Sequence, residues 1–191
     1  MSSRVLYLFG CAAPPVLDLP SAVDLALSDG WTVCVGLTPT AADWLGPGTL
    51  AALEARTGRP VRSAPRRPYE EWPWPDADAT LIAPATLNSV NTFALGLTPH
   101  FVAAYVAEGI GKRWPMLMMP CVNAAYATHP QFGHSVSVLR DAGVRMLYGE
   151  GGFVPRPPGE SDRGDYPWGL ALSAARDAVR DGGTSTSPRA E

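Results

Sequence analysis

Five short, continuous apolar runs, each followed by a segment of helical period, constrain this chain more than any other feature. The runs are Arg4–Phe9 (RVLYLF), Thr32–Leu37 (TVCVGL), Ala79–Ala83 (ATLIA), Pro115–Met119 (PMLMM) and Val144–Tyr148 (VRMLY). Runs of this kind are strands covered on both faces. Between them lie Ser21–Ser28, Ala41–Arg56, Leu87–Val106 and Gln131–Ala142, whose apolar residues recur three or four apart, and a last helix is expected from about Trp168 to Arg180. Strand and helix in alternation predict an α/β protein with a parallel sheet and helices on both faces. A weaker strand is expected at Pro60–Ser63. With 191 residues, 46% of them hydrophobic, there is material for one core, and the expected organisation is a single domain over residues 1–181 with a polar tail at 182–191.

Charge and cysteine usage narrow the function. Eighteen acidic against fifteen basic side chains give a net charge of -3, so no basic excess exists to displace phosphate counterions and nucleic acid is not an expected partner. Lys112 is the only lysine, which excludes mechanisms needing two. Cys11, Cys34 and Cys121 form no CxxC pair and no zinc-type spacing, so neither a disulfide framework nor a metal centre is expected and a cytoplasmic location fits best. The apolar run near the start is too short to span a membrane and is followed by Pro14-Pro15, so it reads as a strand, and no membrane association is expected. Two segments break the alternation. Ser63–Asp78, rich in proline and carrying Trp72 and Trp74, is expected to cross the end of the sheet or to form an oligomer contact. Gly149–Pro167 is a long glycine- and proline-rich loop, a type that is uncommon without a functional role.

In an open parallel sheet, ligands bind beyond the carboxyl ends of the strands. Those exits here read Gly10-Cys11-Ala12-Ala13, Thr38-Pro39-Thr40, Pro84-Ala85-Thr86-Leu87-Asn88-Ser89 and Pro120-Cys121-Val122-Asn123. Small, hydroxyl and amide side chains at four exits suit a neutral heterocycle, and the helix N-termini that follow suit a phosphate. The first exit lacks GxGxxG, which disfavours a dinucleotide bound in the usual Rossmann manner.

The stretch Ala77–Leu97 (ADATLIAPATLNSVNTFALGL) resembles the flavoproteins that include phosphopantothenoylcysteine decarboxylase and the lantibiotic peptidyl-cysteine decarboxylases. Pro84-Ala85-Thr86-Leu87-Asn88-Ser89 is similar to their PASANT-type motif. Pro120–Ala127 is similar to their PxMNxxMW motif, and the resemblance extends over about residues 4–148. It implies a Rossmann-like three-layer flavoprotein sandwich, FMN as cofactor, and assembly as a homotrimer or a multiple of trimers. Gly10, Cys11, Thr38, Thr40, Pro84, Ala85, Thr86, Asn88 and Ser89 are then the expected FMN-binding residues, and Asn123 the residue that holds a substrate carboxylate. The implied reaction is oxidative decarboxylation of a cysteine-derived carboxylate, on a peptide with a C-terminal cysteine or a small conjugate.

The departures bear on catalysis. Where those decarboxylases carry a catalytic histidine, this chain has Glu70, and no histidine occurs before His100. Glu70 and His129 are therefore the candidate general bases, with His129 the histidine expected near the flavin and His100 expected at a subunit contact. A prenyltransferase-like relative or a noncatalytic flavin-binding protein is the rival reading.

Overall fold

The computed structural model describes residues 4–160 and 163–182; most of the expected tail, residues 183–191, lies outside that range. Five strands form one sheet: β1 (Arg4–Gly10), β2 (Trp31–Leu37), β3 (Ala79–Ala85), β4 (Met116–Pro120) and β5 (Arg145–Met146). The order is β2-β1-β3-β4-β5 and every pairing is parallel, with Leu6 opposite Val33 on one side and Ala79 on the other. The helices are α1 (Leu19–Ser28), α2 (Pro39–Thr57), α3 (Leu87–Ala94), α4 (Phe101–Gly111), α5 (Ala124–Ala127), α6 (Pro130–Asp141) and α7 (Trp168–Gly182). The expected parallel sheet between two helical layers is therefore what the chain forms.

The pleat explains why the strand runs show no polar alternation. Leu6 and Leu8 of β1 point into a core shared with α1, α2 and α7, whereas Val5, Tyr7 and Phe9 point into a second core shared with α3, α4 and α6. Both faces are dry, so both parities must be apolar.

Several boundaries differ from the sequence expectation, each for an identifiable reason. Leu87–Val106 is two helices, not one. Gly96 adopts φ +67°, and Pro99 both lacks an N–H and disfavours a helical residue before it, so the chain breaks after Ala94 and restarts at Phe101 with His100 as N-cap. Within α2, Gly46 (φ 72°, ψ 163°) and Pro47 put a kink between two helical pieces. Instead of a full strand, Pro60–Ser63 makes a single bridge, Arg62 to Gly36, along the outer edge of β2. The last strand is only Arg145–Met146. A 3-10 turn at Pro14–Asp18, too short to show helical periodicity, precedes α1.

The proline- and tryptophan-rich segment lies over a face of the sheet rather than across its end. Trp72 and Trp74 pack with Tyr7, Phe9, Phe101 and Tyr105, with ring centroids 4.8 Å apart for Tyr7 and Trp74 and 6.0 Å for Trp72 and Phe101. Trp72 Nε1–H donates to the Tyr7 hydroxyl (2.9 Å), which donates to the Pro75 carbonyl (2.7 Å). Pairing the polar ends of these rings lets them be buried at low cost. Among the described residues, no helix is long and apolar enough to cross a membrane, and no group of three or more His, Cys, Asp or Glu side chains is placed to hold a metal.

Candidate functional site

Backbone hydrogen bonds tie four strand exits together in sheet order. Thr38 N–H donates to the Gly10 carbonyl (3.0 Å), Cys11 N–H to Pro84 (2.9 Å) and Cys121 N–H to Ala85 (2.8 Å). These bonds carry the ladder past the ends of the strands and fix the exits side by side. Above them lies a cleft of about 650 Å³, within the usual size for small-molecule sites. Its walls come from the first exit and following turn (Ala12, Ala13, Pro14), the start of α2 (Thr38, Pro39, Thr40) and the start of α3 (Thr86 to Ser89). Pro99, His100, Cys121 and Tyr126 complete it. Among the described residues, no Asp, Glu, Lys or Arg lines it.

Three of the polar residues at the cleft are helix caps. Thr38 Oγ1 accepts from Ala41 N–H at 3.4 Å, Thr86 Oγ1 from Ser89 N–H at 3.1 Å, and His100 Nδ1 from Ala103 N–H at 3.3 Å. Each side chain thus satisfies one of the donors that a helix N-terminus leaves over, while the remaining first-turn N–H groups of α2 and α3 stay without an intrahelical partner. The starts of three helices, with the positive ends of their dipoles, meet on one concave surface. Such a surface can hold an anion without a lysine or arginine.

Of the expected FMN-binding residues, Thr38, Thr40, Thr86, Asn88 and Ser89 line the cleft. Gly10, Cys11, Pro84 and Ala85 lie beneath it. A Cβ on Gly10 would meet Leu19 Cδ1 at 2.8 Å and Val16 Cγ2 at 2.9 Å, so this glycine serves the close approach of the 3-10 turn and α1. Cys11 is fully buried, and burial pushes its thiol up to about 11, against hydrogen bonds to Ser89 and the Thr86 backbone. Cys121 reaches the cleft, where burial likewise pushes its thiol up to about 11. Both are thiols rather than thiolates at neutral pH, and so are poor nucleophiles.

The candidate catalytic residues separate. Asn123 sits just outside the lining residues, between Cys121 and Tyr126; its Oδ1 accepts from Tyr126 N–H at 2.9 Å as the cap of α5, which leaves the Nδ2 donors for a ligand. Glu70 does not line the cleft. It pairs with Arg62 at 2.6 Å and accepts from Arg67 N–H at 2.9 Å, and the Arg62 bond above all holds its carboxyl down at about 2, the opposite of what a general base requires. His129 is exposed as the cap of α6, its Nδ1 accepting from Gln131 N–H at 3.1 Å, and it does not line the cleft. The histidine of the cleft is His100, and its burial pushes its pKa below the ordinary 6.5. The break after Ala94, unread in the sequence, brings it there; Gly96 and Pro99 were the available signal.

The Flavoprotein family profile matches residues 25–165. No curated protein sequence matches the chain. Among solved structures, the cypemycin decarboxylase CypD superposes with a TM-score of 0.69 at 16% identity, over 94% of this chain and 95% of its own. The FMN-dependent cysteine decarboxylase TvaF, from thioviridamide biosynthesis, gives 0.66 at 18% identity over 94% and 99%. The FMN-binding protein AtHal3 gives 0.67 at 12% identity over 97% and 100%. At these identities the superpositions establish the fold, and the profile match over most of the chain establishes descent: the chain belongs to the flavoprotein family.

Proposed function

We propose that this protein binds FMN in the strand-end cleft and catalyses the oxidative decarboxylation of a cysteine-derived carboxylate, on a peptide ending in cysteine or a small cysteine conjugate. The observation that carries the reading is the convergence of the α2, α3 and α4 N-termini on one uncharged polar cleft, with the Asn123 amide at its margin. The cleft fits a flavin nucleotide. First-turn N–H groups of α2 and α3 and the Thr38, Thr86 and Ser89 hydroxyls would hold the phosphate, while Ala12 and Ala13 keep the first wall low enough for a flat ring system. When bound, FMN supplies a two-electron acceptor.

The chain's own part is orientation and the handling of charge. Asn123 offers amide donors to the substrate carboxylate without adding a second negative charge. Its position is fixed twice, by its cap bond to Tyr126 and by the Ala124 N–H donated to the Arg156 carbonyl (2.8 Å) of the long loop. That loop, held also by Tyr166 O–H donating to the Met119 carbonyl (2.8 Å), passes beside the margin of the cleft and would shield the reacting carbons from water. Leu95, Leu97 and Tyr126 are all more than half exposed, and this apolar rim is where we place the contact with further copies of the chain in a trimer or a multiple of trimers.

A second reading, an FMN-binding protein that does not decarboxylate cysteine, such as a prenyltransferase-like enzyme or a flavin carrier, is favoured by Glu70, which stands where the sequence resemblance puts the decarboxylases' histidine and which Arg62 holds in an ion pair. The two part in one experiment. Purified protein is loaded with FMN and given a peptide with a C-terminal cysteine, and the product is weighed by mass spectrometry. Loss of CO₂ plus two hydrogen atoms supports the first reading, and a yellow protein that leaves the peptide intact supports the second.

A further inference from the structure

His100 is held in a definite tautomer. Its Nδ1 accepts the Ala103 N–H at 3.3 Å, so that nitrogen carries a lone pair and the neutral ring bears its proton on Nε2. Protonating Nδ1 would turn a hydrogen against that N–H and cost the helix its cap, and the partial burial of the ring opposes charge as well. Nε2 makes no hydrogen bond within the described residues, and the residue lines the cleft. The ring is also firmly placed. The next residue, Phe101, is 5% exposed and meets Phe9 edge-on at 5.8 Å, with the Arg62 guanidinium 5.7 Å from its ring centre. The result is a rigid, uncharged N–H donor. A base at this site would need a free lone pair on Nε2, which the cap denies it.

The best acceptor for such a donor follows from what else lines the cleft. No lysine or arginine lines it among the described residues, so the charge of a bound phosphate is met by neutral donors at helix starts, and His100 stands at the start of α4 as Thr86 does at that of α3. We propose that His100 is a cofactor-binding residue whose Nε2–H donates to a phosphate oxygen of the flavin nucleotide. This rests on the FMN reading above and adds to it a residue that selects the nucleotide over the unphosphorylated flavin.

The test compares FMN with riboflavin, which lacks only the phosphate, by fluorescence titration of wild type, His100→Asp and His100→Asn. Asp keeps an acceptor for Ala103 N–H and so keeps the cap, but sets a carboxylate where the donor was. Asn keeps both, an amide oxygen for the cap and an N–H for the ligand. A hydrogen bond to a charged acceptor corresponds to roughly 10- to 100-fold in affinity. His100→Asp is expected to lose at least that much FMN affinity and to bind riboflavin within about twofold of wild type, with an unchanged melting temperature, while His100→Asn recovers most of the FMN affinity. The assignment is overturned if His100→Asp binds FMN as wild type does, or if it loses FMN and riboflavin in equal proportion. Wild-type protein that takes up neither flavin would defeat the cofactor reading itself, a result distinct from either of these.

Discussion

Replacing Asn123 by Asp isolates the carboxylate-holding role from the structural one, because the side chain has two jobs at two atoms. Oδ1 caps α5 through Tyr126 N–H at 2.9 Å, and Nδ2 carries the donors offered to substrate. Asp is as good a cap as Asn, so stability should change by less than about 0.5 kcal/mol. The substrate side changes completely. A donor to a carboxylate is lost, at about 1.5–3 kcal/mol. A like charge is also placed at roughly 4 Å, costing about 1 kcal/mol in water and about 4 kcal/mol at an effective dielectric constant of 20. Asn123 is partly exposed, so an intermediate value applies, and the sum is about 3–6 kcal/mol, or roughly a hundredfold to ten-thousandfold in kcat/KM. The assay is decarboxylation of a cysteine-terminated peptide followed by mass spectrometry, with FMN affinity and thermal melting measured on the same samples. Asn123→Ala serves as control, since it loses the cap as well and should cost about 1 kcal/mol of stability. If Asn123→Asp keeps kcat/KM within about threefold of wild type, the residue is a helix cap and nothing more, and the decarboxylase reading loses its substrate contact.

Three further outcomes follow from the geometry. Thr86→Val removes a hydroxyl that caps α3, so the flavin-free protein should lose about 1 kcal/mol of stability in thermal melts in addition to losing FMN affinity, whereas Thr86→Ser should restore both. Gly36→Ala puts a Cβ 2.4 Å from Phe9 Cδ1 and 3.2 Å from Phe101 Cε1; it should destabilise the fold by about 1–3 kcal/mol in denaturant titration and, by shifting Phe101, weaken FMN binding at His100 without touching the cleft. Glu70, held near 2 against an ordinary value of 4.5, stabilises the fold fully above the ordinary value and progressively less as pH falls towards 2. Glu70→Gln should therefore melt below wild type at neutral pH, the gap closing as pH is lowered from about 4.5 towards about 2, and a gap that widens on acidification would contradict the ion-pair assignment.

The layers of the fold were readable because hydrophobic periodicity is a property of consecutive residues. β1 to β4 lie where the apolar runs are, and the parallel pairing, though not the strand order, follows from their alternation with helices. Gly96 and Pro99 were visible too, but the apolar spacing of Leu87–Val106 continues through them, so the break that delivers His100 was overridden by pattern. At the site, the exits were legible and the direction of each side chain was not. Thr38 and Thr86 face the cleft because a cap residue must aim its oxygen at the helix it starts. Gly10 has no room for a side chain because the 3-10 turn at Pro14–Asp18, invisible to periodicity, packs against the first exit, and Cys11 is buried in the core shared with α3, α4 and α6. Glu70 illustrates the other limit: its partner Arg62 is eight residues away and meets it only because the bridge to Gly36 holds Arg62 at the edge of β2.

The central claim is that one flavin mononucleotide sits in the cleft above the ends of β1, β2, β3 and β4. A crystal structure of the protein grown with FMN tests it most directly. The account predicts flavin density in that cleft, with the phosphate against the first turns of α2 and α3 and within hydrogen-bond distance of His100 Nε2, and Asn123 Nδ2 at the open side. Flavin density at any other place on the chain, or crystals that stay colourless in excess FMN, would contradict it.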